Sequence, residues 1–112
     1  MALNELLAKL AKQPVDFKTV MQVIEDEYLF TPTHFINGEM VNAANINNGS
    51  CKIFAFGQLH QLSEQATLNA FGDFYTQDVL QHPEGLDHQN IRNFMQTGWA
   101  GISYSSPALQ KK

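Results

Sequence analysis

Apolar side chains recur every three or four positions in six stretches of the chain, a spacing that predicts six short helices. The expected bounds of these helices are residues 3–12, 17–28, 51–61, 64–71, 74–80 and 88–97. Residues that often cap helices precede the last five of them: Asp16, Ser50, Ser63, Asp73 and Asp87. The third stretch is apolar nearly all round. KIFAF alone would suit a strand there, but the length of the run and the cap favour a buried helix.

Three short segments carry strand signals instead. The expected strands are residues 33–36, 39–42 and 101–105. Asn37-Gly38 joins the first two, and this pair supplies the positive φ angles of a two-residue type I′ hairpin turn. In that register Phe35 faces Met40. The sequence therefore predicts a predominantly helical α+β fold, with about six short helices packed on a small antiparallel sheet of two to three strands.

The last helix ends in a recognisable stop signal. Gly98 suits the left-handed position after a helix, and Trp99 would then pack back on Phe94. We expect a single domain spanning residues 1–112, because a chain of this length usually forms one core. The tail from about residue 107 is expected to be frayed.

Composition narrows the classes of partner. Hydrophobic residues make up 44% of the chain and charged residues 16%, and the formal net charge is −4. The seven lysine and arginine residues are scattered, whereas nucleic acids and anionic membranes are bound through clustered cations. We therefore expect neither nucleic acid nor membrane as a partner. The single cysteine, Cys51, excludes an internal disulfide and any multi-cysteine zinc motif.

Three long segments of the chain carry a family resemblance. They read FTPTHFINGEMVNAA, NNGSCKIFAFGQLHQLSE and FGDFYTQDVLQHPEGLDHQNIRNFMQTGWAGI. Together they resemble the HopJ type III effector family of small bacterial proteins, from about Leu6 to Tyr104. The resemblance implies a protein of the bacterial cytoplasm, secreted by a type III system if the family name holds, with another protein as its partner. It implies no catalytic residues, so no role is carried over to this chain.

Four side chains form the candidate ligand or anion site, and all but His60 are of residue types that the local fold does not require. They are His60, His82, His88 and Arg92, the last being the only arginine of the chain. Arg92 lies one turn after His88 on the last predicted helix. A structural bridge from Arg92 to Asp73 or Asp78 is favoured over an anion site at the start of that helix.

Cys51 and Asp73 are weaker candidates. A cysteine at a helix start has a lowered thiol pKa, yet a lone cysteine beside an apolar run is usually packed in a core. Asp73 is explained more simply as a helix cap. His82 and His88 are six residues apart across a proline turn, which does not favour a tetrahedral ligand set. We therefore expect no metal and no cofactor.

Two functions stay open at this point. The favoured hypothesis is a non-enzymatic interaction module, because the sequence has no strong catalytic spacing. The alternative is a small ligand-binding or metal-binding protein, or an enzyme, that uses a cluster of the four candidate residues. The two hypotheses differ in whether these side chains meet in one cleft.

Overall fold

The computed structural model describes residues 1–112 and contains five α-helices, one π-helical segment and one 3₁₀ turn. The α-helices are α1 (Leu3–Leu10), α2 (Phe17–Glu27), α3 (Asn48–Leu59), α4 (Glu64–Asn69) and α5 (Gln89–Thr97). The π-helical segment, Phe74–Val79, lies between α4 and α5, and the 3₁₀ turn, Gly98–Gly101, follows α5. None of these helices combines the length and the apolar character needed to cross a membrane.

Five short strands form two antiparallel sheets. They are β1 (Tyr28–Phe30), β2 (Phe35–Asn37), β3 (Met40–Asn42), β4 (Ile102–Tyr104) and β5 (Leu109–Lys111). One sheet has the order β3-β2-β4, and β1 pairs with β5 in the other. The three expected strands thus share one sheet beside the six expected helices, which confirms the predicted α+β fold.

Helix α3 forms the centre of the core, as its apolar sequence predicts. The Phe54 ring packs against three other aromatic rings, with centroid distances of 6.1 Å to Phe35, 5.6 Å to Phe71 and 4.9 Å to Phe94. These partners come from β2, from the residues after α4 and from α5. Burying a phenylalanine of this kind contributes about 1.5–3 kcal/mol, so α3 joins the sheet to the surrounding helices.

The predicted helix caps are only partly correct. The side chains of Asp16 and Ser63 accept a backbone N–H three residues later, at 3.3 and 3.0 Å. Ser50 is not a cap, because α3 begins earlier, at Asn48, and Ser50 lies in its first turn. Asp73 makes no capping hydrogen bond to the π-helical segment. Gly98 does adopt the predicted left-handed φ, +60°.

The contact expected at the end of α5 is observed. The rings of Phe94 and Trp99 meet edge to face, with centroids 5.0 Å apart. The indole N–H of Trp99 also donates to the backbone carbonyl of Leu62 at 2.8 Å. The end of α5 is therefore fixed to the loop before α4.

The hairpin turn lies one residue later in the chain than predicted. Asn37 pairs with Met40, so the two-residue turn is Gly38-Glu39 and not Asn37-Gly38. Gly38 has a φ of +63° at the first turn position, as a type II′ turn requires. The cross-strand partner of each residue therefore moves by two positions, and because side chains alternate with a period of two, each keeps its predicted face. Phe35 lies opposite Asn42 instead of Met40, and Asn37, opposite Met40, is fully buried.

The tail is not frayed, contrary to expectation. Leu109–Lys111 pairs with Tyr28–Phe30, a strand that the sequence pattern did not reveal. Ala108 and Leu109 are only 2% and 4% exposed. Their burial and the strand ladder hold the tail in place. The sequence did not indicate this strand, because three residues are too few for an alternating pattern to be recognised.

Candidate functional site

Arg92 organises the turn between the π-helical segment and α5. Its guanidinium donates to the backbone carbonyls of Asp87 at 2.6 Å, His82 at 2.8 Å and Asp78 at 3.3 Å. It also donates to the Asp87 carboxylate at 2.7 Å, and its side chain is only 12% exposed. A Cβ added at Gly85 would lie 2.5 Å from the guanidinium, so a larger residue there would push Arg92 away from its acceptors.

Asp87 is not the cap of α5, which corrects the prediction. The hydrogen bond from Arg92 holds the pKa of the Asp87 carboxyl below its usual value. Helix α5 begins at Gln89, with His88 in the capping position and no side-chain cap. The structural bridge expected for Arg92 is therefore made with the carboxylate of Asp87, not with that of Asp73 or Asp78.

His88 lies between two acidic side chains. Its Nε2 atom is 2.9 Å from Oδ2 of Asp78 and 3.8 Å from Oδ2 of Asp87. Its ring packs against Phe74 with centroids 5.0 Å apart. The backbone of His88 is left-handed, with φ +50° and ψ 48°, a conformation that costs a non-glycine residue about 1 kcal/mol. We call Asp78, Asp87, His88 and Arg92 the His88 corner.

A cleft of about 410 Å³ opens beside the His88 corner, where the starts of α3 and α5 approach each other. Its lining consists of Phe17, Met40, Ile46, Asn47, Asn48, Gly49, Ser50, Phe71, Phe74, His88, Gln89, Asn90 and Ile91. Neither helix start has a side-chain cap. Because the first N–H groups of a helix have no acceptor within the helix, those of α3 and α5 can donate to a ligand in the cleft.

Four asparagines hold the walls of this cleft together. The side-chain amides of Asn90 and Asn42 bond to each other reciprocally, at 2.9 and 3.2 Å. Asn37 donates to Oδ1 of Asn90 at 3.0 Å, and Asn47 donates to Oδ1 of Asn42 at 2.6 Å. This network joins the hairpin to the starts of both helices. Sequence reasoning missed it, because NAANINN has the composition of an ordinary loop.

The structure places the other two candidate histidines outside the His88 corner. His60 Nε2 lies 2.6 Å from the hydroxyl of Tyr28, and burial, with a smaller effect of Lys111, lowers the pKa of His60. His60 follows α3 at the end opposite to the cleft, about 18 Å away by the rise of the helix. His82 has an exposed side chain and gives only its backbone carbonyl to Arg92.

The two weaker candidates are also separate from each other. Cys51 is only 2% exposed, and its Sγ donates to the carbonyl of Thr33 at 3.5 Å. Burial raises the pKa of the Cys51 thiol, which is the opposite of the activation expected at a helix start. Asp73 is exposed and lines a hollow with Phe17 and Lys18. Of the sequence candidates, the structure therefore brings the side chains of His88 and Arg92 together.

These features define a small α+β protein with an amide-rich cleft between two helix starts. The family model described as HopJ type III effector protein matches residues 3–109, so the chain belongs to this family. The crystal structure of VPA0580, a protein of unknown function, resembles this chain with a TM-score of 0.96 and 58% sequence identity. That likeness covers 100% of this chain and 95% of the other. No curated protein matches the chain.

Proposed function

We propose that this protein is a non-enzymatic interaction module that binds another protein through the cleft between the starts of α3 and α5. The single observation that carries the proposal is this cleft, with its exposed apolar rim and its uncapped helix starts. The description of the family as type III effectors supports the further step that a type III system delivers the protein to a host cell, where the partner is found.

The apolar contacts of such a partner would be made at the rim. Ile46 is 68% exposed and Phe74 is 40% exposed, although both border the same cleft. Exposed apolar side chains beside a concave surface are typical of binding sites, where a partner removes them from water. A partner segment with an apolar side chain at this rim would gain burial without disturbing the core.

The polar contacts with such a partner would be made by the floor and walls of the cleft. Unbonded N–H groups at the two helix starts donate well to backbone carbonyls and to carboxylates. The fixed asparagine amides beside them can both donate and accept. An extended segment that presents carbonyl groups to the cleft therefore suits it better than a flat apolar surface does.

Binding is favoured over nucleophilic catalysis by the state of the reactive groups. Cys51 is buried and its thiol pKa is raised, so the thiolate is disfavoured. The Nε2 atom of His88 is already engaged by Asp78 at 2.9 Å. In both cases the protein itself uses the group that a covalent mechanism would need.

Site-specific cross-linking in host-cell extract tests the proposed surface. A photoreactive amino acid at position 46 should give one discrete cross-linked species, because that side chain lies at the rim. The same probe at position 86 is the matched control, since Leu86 is 86% exposed but does not line the cleft. The species from position 46 should disappear when Phe74→Glu places a charge at the rim.

Two outcomes would contradict the proposal. Cross-linking of equal strength from positions 46 and 86 would indicate nonspecific contact, and persistence of the species in the Phe74→Glu variant would place the partner elsewhere. Delivery is tested separately, with a reporter fused to the C-terminus of the chain. Equal amounts of the reporter in host cells from bacteria with and without a working type III system would exclude that route.

A further inference from the structure

The His88 corner brings three metal-ligating groups together beside the cleft. One ligand atom each of Asp78, Asp87 and His88 lies within 4.8 Å of the others. We propose that these three side chains bind a divalent transition-metal ion of the zinc class. The proposal does not depend on protein binding by the cleft, because its ligands and its test involve only the metal and this chain.

The distances suit such an ion. Zinc bonds nitrogen and oxygen ligands at about 2.0–2.2 Å, so two ligand atoms of a tetrahedral ion lie about 3.4 Å apart. The distances from Nε2 of His88 are 2.9 Å to Oδ2 of Asp78 and 3.8 Å to Oδ2 of Asp87. These values lie on either side of that separation, and the ligand atoms of the two aspartates are within 4.8 Å of each other, so side-chain rotations would bring all three atoms into the coordination shell.

Arg92 holds the ligands in place without being one of them. It bonds Oδ1 of Asp87, while Oδ2 of the same carboxylate is the atom that lies nearer to His88. It also bonds the backbone carbonyls of both Asp78 and Asp87. Groups that orient ligands in this way raise metal affinity, so we assign Arg92 as a positioning residue.

The ligand types select the kind of ion. An imidazole nitrogen with two carboxylate oxygens suits zinc or manganese, whereas magnesium and calcium prefer sites made of oxygen alone. When the ion is bound, His88 is the neutral tautomer with its proton on Nδ1, so that Nε2 gives its lone pair to the ion and no longer hydrogen-bonds Asp78. The side chains of Asp78 and Asp87 are 46% and 58% exposed, so water can reach the remaining coordination positions.

Calorimetric titration of the untagged full-length chain, stripped with a chelator, tests the site with zinc chloride. We expect one ion per chain and a rise in Tm that EDTA reverses. Asp87→Asn and His88→Gln should each weaken zinc binding by about tenfold or more, because each removes a ligand. His82→Gln and Asp73→Asn are the matched controls, and they should bind zinc as the unchanged chain does.

Several results would overturn the proposal. These are the absence of saturable zinc binding, unchanged affinity in both ligand variants, or an equal loss in the His82→Gln control, which would indicate adventitious binding to surface histidines. Asp78→Asn tests the ligand without disturbing the fold, because the asparagine amide oxygen can still accept a hydrogen bond from His88. If this variant keeps the Tm of the metal-free chain and still binds zinc unchanged, Asp78 is not a ligand.

Discussion

His88 and His60 each hydrogen-bond a distant side chain, yet their surroundings are opposite. His88 lies beside two carboxylates at the mouth of a cleft, on a left-handed backbone. His60 bonds the hydroxyl of Tyr28, packs against Phe56 and lies near the cation of Lys111. A positive charge on His60 is therefore disfavoured, whereas His88 lies between two acidic side chains that are open to solvent.

The comparison distinguishes a histidine that serves packing from one that is a candidate for binding. The environment of His60 is explained by packing, because an aromatic neighbour and a hydroxyl satisfy a partly buried imidazole. The environment of His88 is not explained in this way, since it combines backbone strain, solvent access and two acids. Strain that packing does not require is more often found where a protein binds something.

The largest effect on the His88 corner is expected from Arg92→Ala, which removes the four hydrogen bonds of the guanidinium. Three backbone carbonyls and one carboxylate lose a charged donor, so the free energy of unfolding should fall by about 2–3 kcal/mol. Urea denaturation followed by circular dichroism measures it. Arg92→Lys should recover less than half of the loss, because lysine lacks the planar guanidinium that donates to several acceptors at once. A change of less than about 0.5 kcal/mol in Arg92→Ala would show that the hydrogen bonds of Arg92 contribute little to stability.

A smaller effect is expected from Tyr28→Phe, at the other histidine. The substitution removes the 2.6 Å bond to His60 and should lower the free energy of unfolding by about 1 kcal/mol. Tyr75→Phe is the matched control, since the Tyr75 hydroxyl accepts only a longer bond, 3.4 Å, from Gln65. Equal losses in the two variants would contradict a specific role for the pair of Tyr28 and His60.

Substitution of His88 by glycine should change stability less than Arg92→Ala or Tyr28→Phe does. Glycine accepts the left-handed backbone without cost, so His88→Gly should be more stable than His88→Ala by about 1 kcal/mol. It should also stay within about 1 kcal/mol of the unchanged chain, because relief of strain offsets the lost bond to Asp78. Thermal denaturation of the three proteins decides this. If glycine is no better than alanine, the left-handed backbone carries no strain.

The smallest effect is a dependence of stability on pH that comes from His60. Burial, with a smaller effect of Lys111, lowers the pKa of folded His60, so protons bind the unfolded chain more readily. Its contribution to stability is present above the unfolded pKa of about 6.5 and is lost as pH falls below it. Denaturation at pH 7.5 and at pH 5.5 should therefore give a smaller difference for His60→Gln than for the unchanged chain. His82→Gln, which alters an exposed side chain, should not reduce the difference, and a reduction there would contradict the assignment to His60.

The helices could be predicted from sequence because their signals are local. Apolar spacing located all six, and the caps at Asp16 and Ser63 were identified from residue type alone. The strands were harder, since a three-residue strand carries almost no pattern. The hairpin turn was placed one residue too early because Asn37, which favours turns, is instead buried in the hydrogen-bond network of the cleft.

The candidate site was only partly accessible to sequence reasoning, because it depends on tertiary contacts. His88 and Arg92 stood out by residue type, and the structure places their side chains in one corner. Asp87 was taken for a helix cap, since nothing in the sequence reveals that Arg92 bonds its carboxylate. His60 was grouped with them by residue type alone, although α3 separates it from the others.

The pairing of β1 with β5 bears on the order in which the chain folds. The two strands are far apart in sequence, and bringing such distant segments together costs more loop-closure entropy than forming local helices or the β2–β3 hairpin. This ladder should therefore form late and open first. In amide hydrogen exchange the N–H groups of β5 should lose protection before those of α3, and a chain caught in that open state would expose the apolar side chains of Ala108 and Leu109.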